Sequence, residues 1–382
     1  MLLKSYIWID SGTCKIALFS LYCWNKWRII KYQVDLYQIK SILVENQGEL
    51  KQVNSRERKE FWKTLSNMHG VTPENISDLL AVRKIPHTLC RFRPVTESTL
   101  TQLQENKLYF STADWYDDPF DTYLYINYPL LRKMLQEFNN MLNDPHRLES
   151  FIKTVSSMGI PVREILTISM ASSPPPNIQQ FENRIKQMRD VIQKNLYSIC
   201  FCENPLNETL WMKYGDNHRG FVLLYDFHDT STYLCGYEEK CKQCGIHKYP
   251  PNMYPVCYSN KRYDATRYAL FLLLNDSLNS IHVPLPQELY NAMQQSMVWE
   301  IERISLIKKF QHHYDEEWRM ILPTPYSSRP SIKLKPKKVV IGLRTPEYQK
   351  LLILAAAKVA GVSQIYSIQI SKKDRLELVP VS

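Results

Sequence analysis

Glycine is scarce in this chain, which has 10 Gly against 22 Pro in 382 residues. Loops built that way are stiff, and no Gly-rich stretch is present to cradle a phosphate with backbone N–H groups. Long apolar runs are missing as well. The longest candidate, Tyr268 to Leu274, falls well short of the ~20 residues a membrane-spanning helix needs. Met1 to Leu21 is apolar but is interrupted by Lys4, Asp10 and Lys15 and has no small-residue cleavage site, so it does not read as a secretory signal. The 9 cysteines are odd in number and scattered through segments with strand and helix patterns. Without an oxidising route they are expected to be mostly reduced and buried. These absences lead to the expectation of a cytoplasmic, soluble protein with no membrane partner.

The composition is that of an ordinary globular protein, 44% hydrophobic and 23% charged, and its length favours about two domains. The formal charge of +10 points to anionic partners: nucleic acid, a dinucleotide such as NAD, or an acidic protein face.

Residues 1–85 read as a small N-terminal α/β appendage, a strand hairpin followed by helices. Its turn, Asp10-Ser11-Gly12-Thr13, is similar to the first phosphate loop of sugar kinases, but no second Gly-rich loop follows. Arg56 to Ser66 and Thr72 to Ala81 carry helical patterns, the second opening on a Thr cap with Pro at the first helical position. Residues 86–382 form the main unit, with strand patterns at His87 to Arg93, Leu196 to Cys202, Gly220 to Phe227, Tyr254 to Ser259, Glu317 to Leu322 and Ile332 to Leu343. A helical insertion is expected over about 127–195, a Cys-rich insert over about 228–253, and a long helix from Pro286 to Phe310. Strands drawn from distant parts of the chain and interrupted by helices predict an α+β fold with a mixed or split β-sheet core.

Five groups of residues carry chemistry. Arg91-Phe92-Arg93 places two guanidiniums on one face of its strand, suited to a pyrophosphate. Leu108 to Asp121 runs from an apolar strand through Ser111 and Thr112 into a turn holding Asp114, Asp117, Asp118 and Asp121, with Ser111 the candidate ligand contact and Asp118 and Asp121 expected to bond backbone or arginines. Trp211 and Tyr214, with His218 just before a strand, offer an aromatic wall and an imidazole. In Glu317-Trp318-Arg319, alternation puts Glu317 and Arg319 on one face and Trp318 on the other. Cys235, Cys241, Cys244 and His247 supply enough soft ligands for a structural zinc, although the spacing is not that of a standard finger.

Read together, Arg91-Phe92-Arg93-Pro94, Leu108 to Asp121, Cys200-Phe201-Cys202, Trp211, Tyr214, His218, Gly220-Phe221 and Tyr314 to Arg319 resemble the bacterial family named domain of unknown function 2971, over about residues 88–380. Cys202 stands where Ser is usual there and Lys213 where His is common. The order of Arg, hydroxyl and late Glu also looks like that of ADP-ribosyltransferases. This resemblance implies an NAD-binding effector of bacterial defence or toxin type. Arg91 or Arg93 would hold the pyrophosphate, Ser111 the ribose, Trp211 or Tyr214 a ring, Glu317 would be the catalytic carboxylate and His218 a proton shuttle. Two other readings stay open: a non-catalytic nucleotide- or protein-binding sensor or adaptor, and a Mg²⁺-dependent nuclease using the four aspartates with Glu316 or Glu317.

Overall fold

The computed structural model describes residues 55–70, 72–157, 178–227, 253–280, 297–322 and 329–381, with short pieces elsewhere, such as 9–10, 13–14, 233–235 and 248–249. In chain order the strands are β1 (Ile9–Asp10), β2 (Thr13–Cys14), β3 (Thr88–Arg93), β4 (Lys107–Tyr109), β5 (Ser111–Thr112) and β6 (Tyr197–Cys202). They continue with β7 (Phe221–Asp226), β8 (Tyr233–Cys235), β9 (Lys248–Tyr249), β10 (Met253–Pro255), β11 (Cys257–Ser259) and β12 (Ile307–Lys309). The last are β13 (Glu317–Leu322), β14 (Ser331–Lys333), β15 (Lys338–Ile341), β16 (Gln364–Ile370) and β17 (Leu376–Pro380).

The fold is α+β around a mixed nine-stranded sheet in the order β10-β13-β6-β3-β7-β15-β16-β17, with β5 also on β6. Only β15 and β16 pair in parallel within it, through the helix Glu347–Val359 that connects them. β6 divides the sheet. On one edge β13 pairs with it along its whole length, Glu317 facing Cys202 and Leu322 facing Tyr197. On its other edge β5 takes Tyr197 and Ser198, β3 meets it at the single pair Cys90↔Cys202, and residues 199–201 between them have no strand partner there. The sheet is therefore split between β3 and β6.

One face of the sheet packs Leu89, Phe110, Ile199, Phe201, Tyr225, Trp318 and Val339 into the largest core cluster. The other face carries Cys90, Phe92, Cys202, Val222 and Val340 against Trp211. Strict alternation along β3, β6 and β13 produces this division. The helices Tyr128–Leu142, Pro145–Ser156 and Ile178–Asn195 occupy the expected insertion, and the first and third of them join a second core with the helix Thr266–Ser280. The helices Ser55–Asn67 and Pro73–Val82, read from the sequence as part of an appendage, share a core with Tyr254, Val256, Trp299 and Ile321. Arg58 donates to the carbonyls of Val256 and Glu317 at 2.9 and 2.8 Å, so this helix is fastened directly to β13.

Three expected elements are different in the structure. The run Tyr254 to Ser259 is divided at Val256 into β10 and β11, which belong to separate sheets. The run Ile332 to Leu343 is divided into β14 and β15, with Pro336, which cannot donate to a ladder, lying between them. The long helix expected to reach Phe310 ends at Ser305, and β12 follows in parallel with β11. Strand pairing there overrides the helical periodicity.

Gly220 closes the tight turn from which β7 starts beside β3. A Cβ at this position would lie 2.1 Å from the carbonyl oxygen of Arg93. Gly220→Ala is expected to destabilise the fold by about 1–3 kcal/mol, because backbone must move to admit the methyl group. Urea denaturation checks this, and an unchanged midpoint would mean that the turn yields freely.

Candidate functional site

A cavity of about 280 Å³ opens where β3 and β6 part. Of the residues picked out from sequence, Arg91, Arg93, Ser111, Tyr214 and Glu317 all line it, although they come from three separate strands and a helix end. β3 brings the arginines, β5 the serine, and β13 the glutamate across β6.

Among the described residues the arginine wall lacks counter-charge. Nη1 of Arg91 is buried without a hydrogen-bond partner among the described residues, and Arg93 has a long contact of 3.5 Å to Gln102. Burial lowers the Arg91 guanidinium below its ordinary value. Arg93 is pushed down to about 9, by burial first and then by the positive charge of Arg91. An anion between them would reverse both effects.

The opposite wall is a compensated ion network. Lys308 Nζ lies 2.8 Å from Asp315, 2.9 Å from Glu317 and 3.8 Å from Asp121. Arg319 grips Asp121 with both terminal nitrogens at 2.6 Å and donates through Nε to Glu317 at 2.5 Å. These five side chains are all buried. Burial alone would raise the Glu317 carboxyl, but Arg319 and then Lys308 outweigh it and hold the group well below the ordinary carboxylate range. Burial would lower Lys308, yet Glu317 and Asp121 keep it well above its usual value. Asp315 is raised, with burial the largest cause.

A carboxyl depressed in the folded state contributes stability at pH values above its unfolded value of about 4.3, and that contribution is lost as pH falls toward the folded value. A lysine raised in the folded state contributes below its unfolded value of about 10.4 and loses that contribution as pH climbs through the folded one. The protein is expected to lose stability below about pH 4 and again above about pH 10, with Glu317→Gln flattening the acid limb. Urea midpoints measured across pH test this, and an acid limb equally steep in the variant would contradict it.

Tyr116 forms the floor of the cavity. Its hydroxyl is 2.5 Å from Ser198 Oγ and accepts from Cys200 at 3.5 Å, and its ring lies 5.6 Å under the Arg319 guanidinium. Burial raises both the Tyr116 phenol and the Cys200 thiol, the latter to about 12, so both remain protonated donors. At the mouth, Tyr214 and Lys213 hold Asp117 at 3.0 and 3.3 Å, and Trp115 stands 83% exposed beside them.

Two residues expected in the site lie elsewhere. Trp211 is fully buried, donates to Pro205 O at 2.8 Å and meets Phe92 edge-on, so no ligand ring can stack on it. His218 stacks on Trp211 and accepts the Arg344 N–H on its own carbonyl, outside the cavity lining, so it is not placed to shuttle a proton at Glu317. Aromatic spacing alone does not distinguish a core corner from a pocket wall. Conversely Lys308 carried no sequence signal, since it lay inside an expected helix, and Asp315 was visible only as part of the run Tyr314 to Arg319. Tyr116 was visible only as one aromatic of the acidic turn.

The acidic turn is structural for the most part. Asp118 accepts the Phe120 N–H at 2.9 Å and faces His312, while Asp121 takes Arg319. Among the described residues no group of three or more His, Cys, Asp or Glu side chains is arranged to hold a metal ion. Between Asp121, Asp315 and Glu317 the cation is the ammonium of Lys308 itself. Of the proposed zinc ligands, Cys241, Cys244 and His247 lie outside the described residues, as does the side-chain environment of Cys235. Among the described residues no helix is long and apolar enough to cross a membrane. Compared with family models, curated proteins and solved structures, the chain matches none.

Proposed function

We propose that the cavity in the split sheet binds NAD and that the protein acts as an ADP-ribosyltransferase-like, NAD-consuming enzyme. The observation that carries this is one cavity with two arginines on one wall that no acid among the described residues compensates, and an ionised carboxylate on the other. A pyrophosphate supplies the counter-charge that Arg91 and Arg93 lack among the described residues, and Ser111, whose hydroxyl accepts from Arg329 at 2.7 Å, lines the same cavity to meet a ribose. Departure of neutral nicotinamide leaves positive charge on the ribose carbon. A carboxylate fixed beside that carbon stabilises the transition state more than the ground state. Lys308 and Arg319 keep Glu317 ionised and orient it at no reorganisation cost.

A second reading rests on the same network. Both Glu317 oxygens already accept from a cation, Oε1 from Arg319 and Oε2 from Lys308. That arrangement also suits a nucleotide sensor that binds without turnover. Incubation with NAD labelled on the ribose side, with calorimetry in parallel, separates the two. Nicotinamide release or label transfer supports the enzyme, saturable binding without release supports the sensor, and neither signal refutes the NAD assignment.

A further inference from the structure

We propose that Cys90 and Cys202 form a reversible cross-strand disulfide, a modification site at the closed end of the split, with hydrogen peroxide as oxidant. Cys90↔Cys202 is the one residue pair joining β3 to β6. The two sulfurs are 3.2 Å apart, and each thiol lies against the other's carbonyl, at 3.3 and 3.4 Å. Directly opposed residues of an antiparallel pair have Cα atoms about 4.5–5.5 Å apart, within the separation a disulfide tolerates. Small side-chain rotations close the remaining gap. Among the described residues the other free thiols have different surroundings: Cys200 faces Tyr116, and Cys257 is buried on β11.

Access comes through the cavity, which both cysteines line. One thiol gives up its proton and its sulfur attacks a peroxide oxygen. The S–O bond forms, the O–O bond breaks, and the departing hydroxide takes a proton to become water. The second sulfur, deprotonated in turn, then attacks the sulfenic sulfur; S–S forms, S–O breaks and a second water leaves. Two thiols lose two electrons and the peroxide is reduced to two waters. Burial and the adjacent Cys90 keep the Cys202 thiol protonated, so the reaction is slow at neutral pH and quickens as pH rises.

The bond would tie the arginine strand to the strand beside Glu317, since Cys90, Cys202 and Glu317 occupy one continuous row across β3, β6 and β13. It would also link residues 112 apart in the chain, a long loop whose closure restricts the unfolded ensemble.

The full chain is treated with hydrogen peroxide, its remaining thiols are alkylated, and it is digested and mapped by mass spectrometry. The expected product is a peptide pair joined through Cys90 and Cys202, released by dithiothreitol, together with a higher thermal midpoint. Cys90→Ser abolishes both changes, and Cys202→Ala repeats the test with a separate fold check. Recovery of both cysteines as alkylated thiols after treatment at neutral and raised pH, or their linkage only to other cysteines, overturns the proposal. Mapping of the unmodified chain decides this whether or not either variant folds, and it is independent of NAD.

Discussion

Asp121→Ala is expected to lower folding stability by about 3–5 kcal/mol, the cost of leaving a buried ion without its partner. Asp121 and Arg319 are 2% and 1% exposed, and their contact is bidentate at 2.6 Å through both terminal nitrogens. Without Asp121, Arg319 keeps Glu317 and the Ser305 carbonyl, but a guanidinium that cannot lose its proton remains under-compensated in the interior. The loss extends beyond one pair, because Lys308 also counts Asp121 among its acidic neighbours. Urea unfolding should show a lower midpoint with the same slope. A change under about 1 kcal/mol would mean that water reaches the pair and screens it.

Glu317→Gln is expected to reduce nicotinamide release by about a hundredfold or more, within the range lost when a preorganised transition-state charge is removed. The amide keeps the shape and an acceptor oxygen but not the charge. Lys308 retains Asp315 and Asp121, and Arg319 retains the bidentate Asp121, so the fold is expected to survive. NAD affinity should change only a few-fold, because the carboxylate acts on charge that appears as the bond breaks. Release assays and calorimetry on the variant separate these effects. Equal loss of binding and turnover would assign Glu317 to holding the ligand.

Much of this arrangement was legible in the sequence, and the limits have physical causes. Period-two alternation fixes which side chains share a strand face, so Arg91 with Arg93 and Glu317 with Arg319 could be read directly. Asp121 was readable as a partner for an arginine because four acids in one turn cannot remain unpaired beside a core. Lys308 was not readable. Its segment carries a helical pattern, and only the parallel pairing of β12 with β11 turns the ammonium toward Glu317. Trp211 and Trp115 show the same limit from the other side. The first, placed at helical spacing, closes a core with Phe92, while the second, inside the acidic turn, stands at the cavity mouth. The split itself depends on where β5 ends along β6 and where β3 begins, which is a property of register between segments more than a hundred residues apart in the case of β3 and β6.

The most direct test of the NAD site is a calorimetric titration of NAD into the unmodified protein and into the double variant Arg91→Gln, Arg93→Gln, with adenosine as the uncharged control. Hydrogen bonds from charged donors contribute roughly 1.5–3 kcal/mol each, so losing two is expected to weaken NAD binding by about a hundredfold or more. The account predicts saturable NAD binding to the unmodified protein, much weaker binding to the double variant and no comparable binding of adenosine. Absence of NAD binding, or equal affinity in the double variant, would contradict it.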